Sequence, residues 1–340
     1  MATAENLTVS NIAKEKPLGA EFVIGAVAAA GAGLFTNPAD VIKIRLQLQG
    51  ELEARGTYKK IYKNTFHAAY LIAKHEGILA LQSGIAPALY FQVVLNGIRL
   101  GVYNSAKKYG IIQDSKGNTA VLKTVLITGL AGCLGGVLGS PFYLVKTQIQ
   151  AQSAQSIAVG HQHDHTGTWS AFRKLWKQGG IAAVFRGWYA NIPRLFVGSS
   201  TQLTTFGLVS DWLESLNVSR LLYDKFVSNT IFVSCFQILT DYPITLTFVS
   251  SLIGGSCVAL TMQPFDVLAT RLYNQKATKD GKGGTLYNGL FDALIKIWRT
   301  EGLYGLYKGT FPTWMRIAPH TVLCLVFYKK LDQLYDDART

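Results

Sequence analysis

Charged side chains leave three long gaps in this chain. Gly77–Ile98 runs 22 residues without one, Thr124–Val145 another 22, and Tyr242–Phe265 24. A helix crosses a bilayer with about 20 mostly apolar residues, so each gap is long enough for one span. None alternates apolar and polar residues as a membrane strand does, which disfavours a barrel. Phe22–Ala39, Leu195–Ser210 and Ile317–Tyr328 are shorter stretches bounded by charges. The pattern predicts an all-α membrane protein with six transmembrane helices.

The helices recur in pairs. Pro38-Ala39-Asp40-Val41-Ile42-Lys43-Ile44-Arg45 has counterparts in Pro141-Phe142-Tyr143-Leu144-Val145-Lys146 and Pro264-Phe265-Asp266-Val267-Leu268-Ala269-Thr270-Arg271, the prolines being 103 and 123 residues apart. A second string ends at Gly84, Gly187 and Gly309, 103 and 122 residues apart. Upstream of each proline, at offsets −13, −9 and −5, stand Gly25/Ala29/Gly33, Thr128/Gly132/Gly136 and Ser251/Gly255/Ala259. Small residues at helical spacing let membrane helices approach closely. A proline inside a membrane helix removes a hydrogen bond and bends it, so Pro38, Pro141 and Pro264 predict three kinked odd-numbered helices.

This register divides the chain into a tail, 1–17, and two-helix repeats over 18–111, 119–216 and 238–336. The second interval exceeds the first by 20, and removing Val218–Gln237 restores 103. Val218-Ser219 and Phe236-Gln237 can be encoded as splice donor and acceptor. The segment therefore reads as an insertion, a translated short intron, with a genuine loop insertion as the alternative.

Composition agrees with a membrane protein: 49% of residues are hydrophobic and only 16% charged, with mean hydropathy +0.20. Soluble domains carry about 25% charged residues. The net charge of +13 is scattered between uncharged stretches and forms no single patch, which argues against nucleic acid. Cys133, Cys235, Cys257 and Cys324 lie in apolar stretches without metal or disulfide spacing. Met1–Pro17 has no apolar core and no Arg, so a signal peptide is excluded and targeting information is expected to be internal. No nucleophile–base constellation, Gly-rich phosphate loop or catalytic carboxylate pair is present, so an enzyme is not expected. His161-Gln162-His163-Asp164-His165 sits in a loop without helical spacing or a Cys partner, and neither a metal site nor a cofactor is expected.

The triplicated strings resemble the mitochondrial carrier family (solute carrier family 25), whose signature is P-x-[DE]-x-x-[KR]-x-[KR] followed by [DE]-G-x-x-x-x-[aromatic]-[KR]-G. The likeness covers essentially the whole chain. Within the family the chain is most similar to the member 34/35 or oxaloacetate-carrier branch, on Pro264–Gln275 and Gln150–Gly160. The resemblance implies six transmembrane helices in three pseudo-symmetric two-helix repeats, with short helices on the matrix side.

Carried over residue by residue, it implies a matrix gate of ion pairs, Asp40 with Lys146 and Asp266 with Lys43, braced by Gln47 and Gln150. The third pair is absent, Tyr143 replacing the acid and Ala269 its basic partner; joint loss leaves no buried unpaired charge, the costly outcome. Family cavity positions fall on Phe91, Arg194 and Arg316 and on Arg99, Gln202 and Cys324. Guanidinium forks match carboxylates bidentately, so Arg99, Arg194 and Arg316, with Gln202 reading a keto or hydroxyl oxygen and Phe91 beside them, fit a small dicarboxylate or oxoacid. Gly84, Gly187, Gly309, Asn64, Gly167 and Gly289 match positions where helix N-termini hold cardiolipin phosphates.

The expectation is a monomeric carrier of the mitochondrial inner membrane that moves a small anionic metabolite by alternating access. The rivals are a proton or fatty-acid-anion leak on the same fold and a non-transporting membrane adaptor. Loops Lys43–Glu76, with seven basic residues against three acids, and Lys146–Arg186, with five against one, carry the excess positive charge of the matrix side. Both termini then face the intermembrane space.

Overall fold

The computed structural model describes residues 18–54, 56–111, 121–198, 201, 205, 244–278 and 284–337. Three long helices dominate: α1 Leu18–Leu48, α4 Val121–Ala151 and α6 Ile244–Asn274. Each has 31 residues, and Pro38, Pro141 and Pro264 each stand at the twenty-first. A 31-residue helix is about 46 Å long, well beyond a hydrocarbon core of about 30 Å. The signature charges sit in the segment past each proline.

A short helix follows each long one: α2 Thr65–Glu76, α5 Thr168–Val184 and α7 Leu290–Leu306. Each is interrupted or ended by a left-handed glycine, Gly77 at φ 87°, Gly180 at 61° and Gly302 at 65°. Seven residues later Gly84, Gly187 and Gly309 repeat the feature at 69°, 77° and 82°. The returning helices are α3 Ile85–Lys108, a helical stretch at 191–198, and α8 Thr310–Asp337. Among the described residues there is no strand, only an isolated bridge between Ala277 and Gly284.

Burial follows the same division. The apolar core lies past the prolines, around Val41, Ile44, Leu48, Leu144, Val145, Val267 and Leu268. Nearer the helix starts large apolar side chains point outward. Leu126, Leu130, Leu134 and Leu138 recur every four residues on α4 and are 49–70% exposed, a stripe suited to lipid. One 18-residue window among the described residues, Ile78–Leu95, is apolar enough by composition to cross a membrane, and it falls in the first uncharged gap. The third gap begins outside the described residues, and several side chains of the second lie outside the description.

Close helix approach uses small residues, though not only the predicted stripe. A Cβ on Gly136 would lie 2.1 Å from Leu195. Against α3, Gly135 meets the backbone of Leu95 at 3.1 Å and Gly139 meets Phe91 at 2.8 Å. These last two stand at offsets −6 and −2 from Pro141, outside the predicted stripe.

Candidate substrate site and gate

Just past the three prolines, the long helices present Asp40 and Lys43, Lys146, and Asp266 toward one another, and all four are buried. Lys146 Nζ donates to Asp40 Oδ2 at 2.7 Å. Lys43 Nζ lies 3.0 Å from Asp266 Oδ2 and 3.7 Å from Asp40 Oδ1. Gln47 Nε2 donates to Asp266 Oδ2 at 2.9 Å, while its Oε1 accepts from Thr270 at 2.7 Å. Gln150 behaves otherwise. It donates to Asn37 Oδ1 at 2.9 Å and to the Ser83 carbonyl at 3.2 Å, not to the Asp40–Lys146 pair. The second oxygen of Asp40 is already faced by Arg316.

At the third corner the missing ion pair is replaced by aromatic rings. Tyr143 meets Phe91 edge-on at 5.1 Å and Tyr273 at 5.3 Å. The Arg194 guanidinium lies 4.6 Å above the Tyr143 ring, a cation–π contact. Tyr273 Oη is shared by Ser140 Oγ and Asn191 Nδ2, both at 2.9 Å. Asn191 Oδ1 in turn accepts from Arg194 Nε at 3.2 Å.

The arginines assigned to the cavity stand on the gate itself. Arg316 Nε is 3.1 Å from Asp40 Oδ1 and Arg194 Nη1 is 3.6 Å from Asp266 Oδ1. Neither Arg316 Nε nor Asp40 Oδ1 has a hydrogen-bond partner, so this contact is Coulombic and poorly aligned. Among the described residues four cations thus share two carboxylates, leaving two positive charges uncompensated. They face a cavity of ≈ 120 Å³ whose lining includes Phe91, Gln92, Tyr143, Arg194, Arg316 and His320. His320 was not singled out in the sequence, although it lies one helical turn beyond Arg316 on α8. Arg99 is on α3, but its side chain lies outside the description, as does Gln202.

A second polar ring lies nearer the loops. Arg45 Nη1 and Nη2 grip Glu76 at 2.6 and 2.7 Å, and Glu76 Oε1 also accepts from the Ala154 N–H at 3.0 Å. In the third repeat Arg271 grips Glu301 in the same bidentate way. Glu301 also accepts from Lys308 Nζ, and from the Leu52 N–H at 2.9 Å. Burial pushes Glu301 up, but the hydrogen bonds and charge of Arg271 and Lys308 outweigh it and hold the carboxyl below its ordinary value. Each carboxylate therefore ties its own repeat to the next. Gln49, Gln152 and Gln275 also hold the loops: Gln49 Oε1 accepts from the Tyr62 N–H at 2.6 Å, Gln275 Oε1 from the Tyr287 N–H at 2.9 Å, and Gln152 Nε2 donates to the His165 carbonyl at 3.3 Å. Their common offset, eleven residues past each proline, was the available signal.

At the short helices Asn64 caps α2, accepting from the His67 N–H at 2.8 Å. Gly167 and Gly289 precede α5 and α7 with no side-chain cap, so their first N–H groups stay open to an anion. Phe66 lies 6.0 Å from Phe311 and Trp169 6.2 Å from Tyr90, which sets Asn64 near the start of α8, after Gly309, and Gly167 near the start of α3, after Gly84. No ring contact among the described residues joins Gly187 to Gly289. Groups of three or more metal-ligating side chains in metal-binding geometry are absent among the described residues.

The family model Mitochondrial carrier protein matches residues 14–113, 117–217 and 240–339. Solute carrier family 25 member 35 of Homo sapiens is 42% identical over 315 residues, covering 93% of this chain and 98% of the relative. Mitochondrial oxaloacetate transport protein of Schizosaccharomyces pombe is 36% identical over 338 residues, 98% of this chain and 97% of the relative. Mitochondrial citrate transporter E of Aspergillus niger is 35% identical over 316 residues, 92% of each. With three matched repeats and near-complete coverage of these relatives, the chain is a transporter, not an enzyme, and belongs to the mitochondrial carrier family.

Proposed function

We propose that this carrier moves a small dicarboxylate or oxoacid dianion, oxaloacetate-like, across the mitochondrial inner membrane by alternating access. The observation that carries the reading is the charge imbalance at the gate: among the described residues Lys43, Lys146, Arg194 and Arg316 face only Asp40 and Asp266. A dianion neutralises the surplus of two. Its carboxylates compete with Asp40 and Asp266 for the two arginine forks, which bind carboxylates better than the misaligned contacts they now make. Substrate binding then loosens the ion pairs that hold this end of the helices together, coupling recognition to opening. The name of the oxaloacetate-transporting relative favours such a dianion, and that of the citrate transporter the wider class of small carboxylates.

In this reading Phe91, Arg99, Arg194, Gln202 and Arg316 contact substrate. Asp40, Lys43, Gln47, Lys146, Gln150 and Asp266 form the matrix gate, and cardiolipin phosphates seat at Asn64, Gly84, Gly167, Gly187, Gly289 and Gly309. Excess positive charge on the loops puts them in the matrix and both termini in the intermembrane space. The carrier works as a monomer.

Substrate binding is read from the thermal midpoint of purified carrier in the presence of malonate. Wild type should be stabilised. Arg316→Ala should lose the response while still folding, and Arg316→Lys should need at least tenfold more malonate because an ammonium cannot bind bidentately. An unchanged malonate response in Arg316→Ala contradicts the assignment.

A further inference from the structure

The three repeats treat the loop-level carboxylate unequally. Counting back eight residues from Gly84, Gly187 and Gly309 gives Glu76, Gly179 and Glu301. Seven residues past the prolines stand Arg45, Gln148 and Arg271. The second repeat has thus lost both the acid and the arginine that grips it. It keeps Arg186, the counterpart of Lys308, which in the third repeat rests on Glu301.

Among the described residues Arg186 has no carboxylate in that role. It is only 5% exposed. Its Nη2 donates to the Gln275 carbonyl at 3.3 Å, while Nε and Nη1 have no partner. Burial alone pulls the guanidinium below its ordinary value, with no carboxylate holding it up. A buried charge left in this condition is costly, and a missing counter-ion is the direct remedy.

The place of that counter-ion is a cavity of ≈ 340 Å³. Its lining includes Arg186, Gln148, Lys276, Ala277, His163 and His165, and no carboxylate among the described residues. The match with the occupied sites is close. Glu76 accepts from Arg45 and from the N–H of Ala154, thirteen residues past the next repeat's proline. Ala277 stands thirteen past Pro264, and Gln148 takes the position of Arg45. His163 Nε2 donates to the Asn274 carbonyl at 2.8 Å, and His165 Nε2 hydrogen-bonds Gln148 Oε1 at 2.9 Å, so the loop holding the histidines is fixed around the space.

We infer that this cavity binds a small oxyanion group, of phosphate or carboxylate chemistry, in the place of the missing third carboxylate. The anion ties the second repeat to the third, as Glu76 ties the first to the second and Glu301 the third to the first. It completes the loop ring and favours the closed gate, independently of the solute in the central cavity. Phosphate can arrive free in solution or as a lipid headgroup.

The test uses full-length carrier in phosphatidylcholine nanodiscs, with or without cardiolipin, heated with and without inorganic phosphate. For a free anion, phosphate should raise the wild-type midpoint by about 3 °C at tenfold excess over its dissociation constant. Gly179→Glu leaves the central cavity untouched and supplies the absent acid; residue 179 has φ −167°, extended backbone open to any side chain. That variant should be more stable than wild type without phosphate and should no longer respond to it. If the source is a lipid headgroup, the response that Gly179→Glu loses is the response to cardiolipin. Arg186→Gln should lose the same response, and it decides the matter if Gly179→Glu does not fold. Responses to phosphate and cardiolipin equal in wild type and both variants, or absent from wild type, overturn the proposal.

Discussion

Asp40 holds Lys146 on one oxygen and faces Arg316 and Lys43 on the other. Asp40→Asn therefore leaves Lys146 and Arg316 without their carboxylate, while Lys43 keeps Asp266. Removing one partner of a buried ion pair costs about 3–5 kcal/mol, so a large fall in thermal midpoint is expected. Adding Lys146→Met should recover part of it, with a coupling of about 0.5–3 kcal/mol between the two sites. Losses that simply add in this double-mutant cycle contradict the pairing. Those positions were readable because three copies of one motif fix the register. The involvement of Arg316 and Arg194 in the same cluster was not, because a count along the helices gives depth but not the reach of a long guanidinium side chain. Nor does a repeat pattern reveal that Gln150 turns to Asn37, since that depends on which group fills the second oxygen of Asp40.

At the scale of the element, each short helix and its two glycines set how closely a returning helix meets the next long one. Gly309 has φ 82°, and a Cβ there would lie 3.1 Å from Gln47 Cγ and 3.3 Å from the Lys43 carbonyl. Gly309→Ala should thus strain the backbone and push on the gate, destabilising the carrier by about 1–3 kcal/mol. Gly289→Ala has no atom within 4 Å of its added Cβ and should change the midpoint little. Equal effects of the two substitutions contradict this role. The long helices and the prolines inside them were legible from the uncharged stretches and the repeat register. The close packing of Gly135 and Gly139 on α3 was not, because small residues are frequent along α4 and only the facing side chains, Leu95 and Phe91, select which of them touch.

Across the molecule, triplication explains both the regularities and the exceptions. The ion-pair ring is complete at two corners and aromatic at the third. The loop ring holds two carboxylates and a cavity. Val218–Gln237, outside the described residues, also falls between the family matches ending at 217 and resuming at 240. We propose that working messages join Asn217 directly to Ile238. Transcript sequencing should show that junction, and abundant messages carrying the segment in frame contradict it. The net charge of +13 is divided among loops, ion pairs and cavity instead of forming one patch, in keeping with the proposed dianionic substrate. Uptake of radiolabelled malonate or oxaloacetate by proteoliposomes tests this most directly. The account predicts saturable uptake that is accelerated by unlabelled dicarboxylate inside and lost in Arg316→Ala. Absence of uptake for every dicarboxylate and oxoacid tried, or a proton leak in its place, contradicts it.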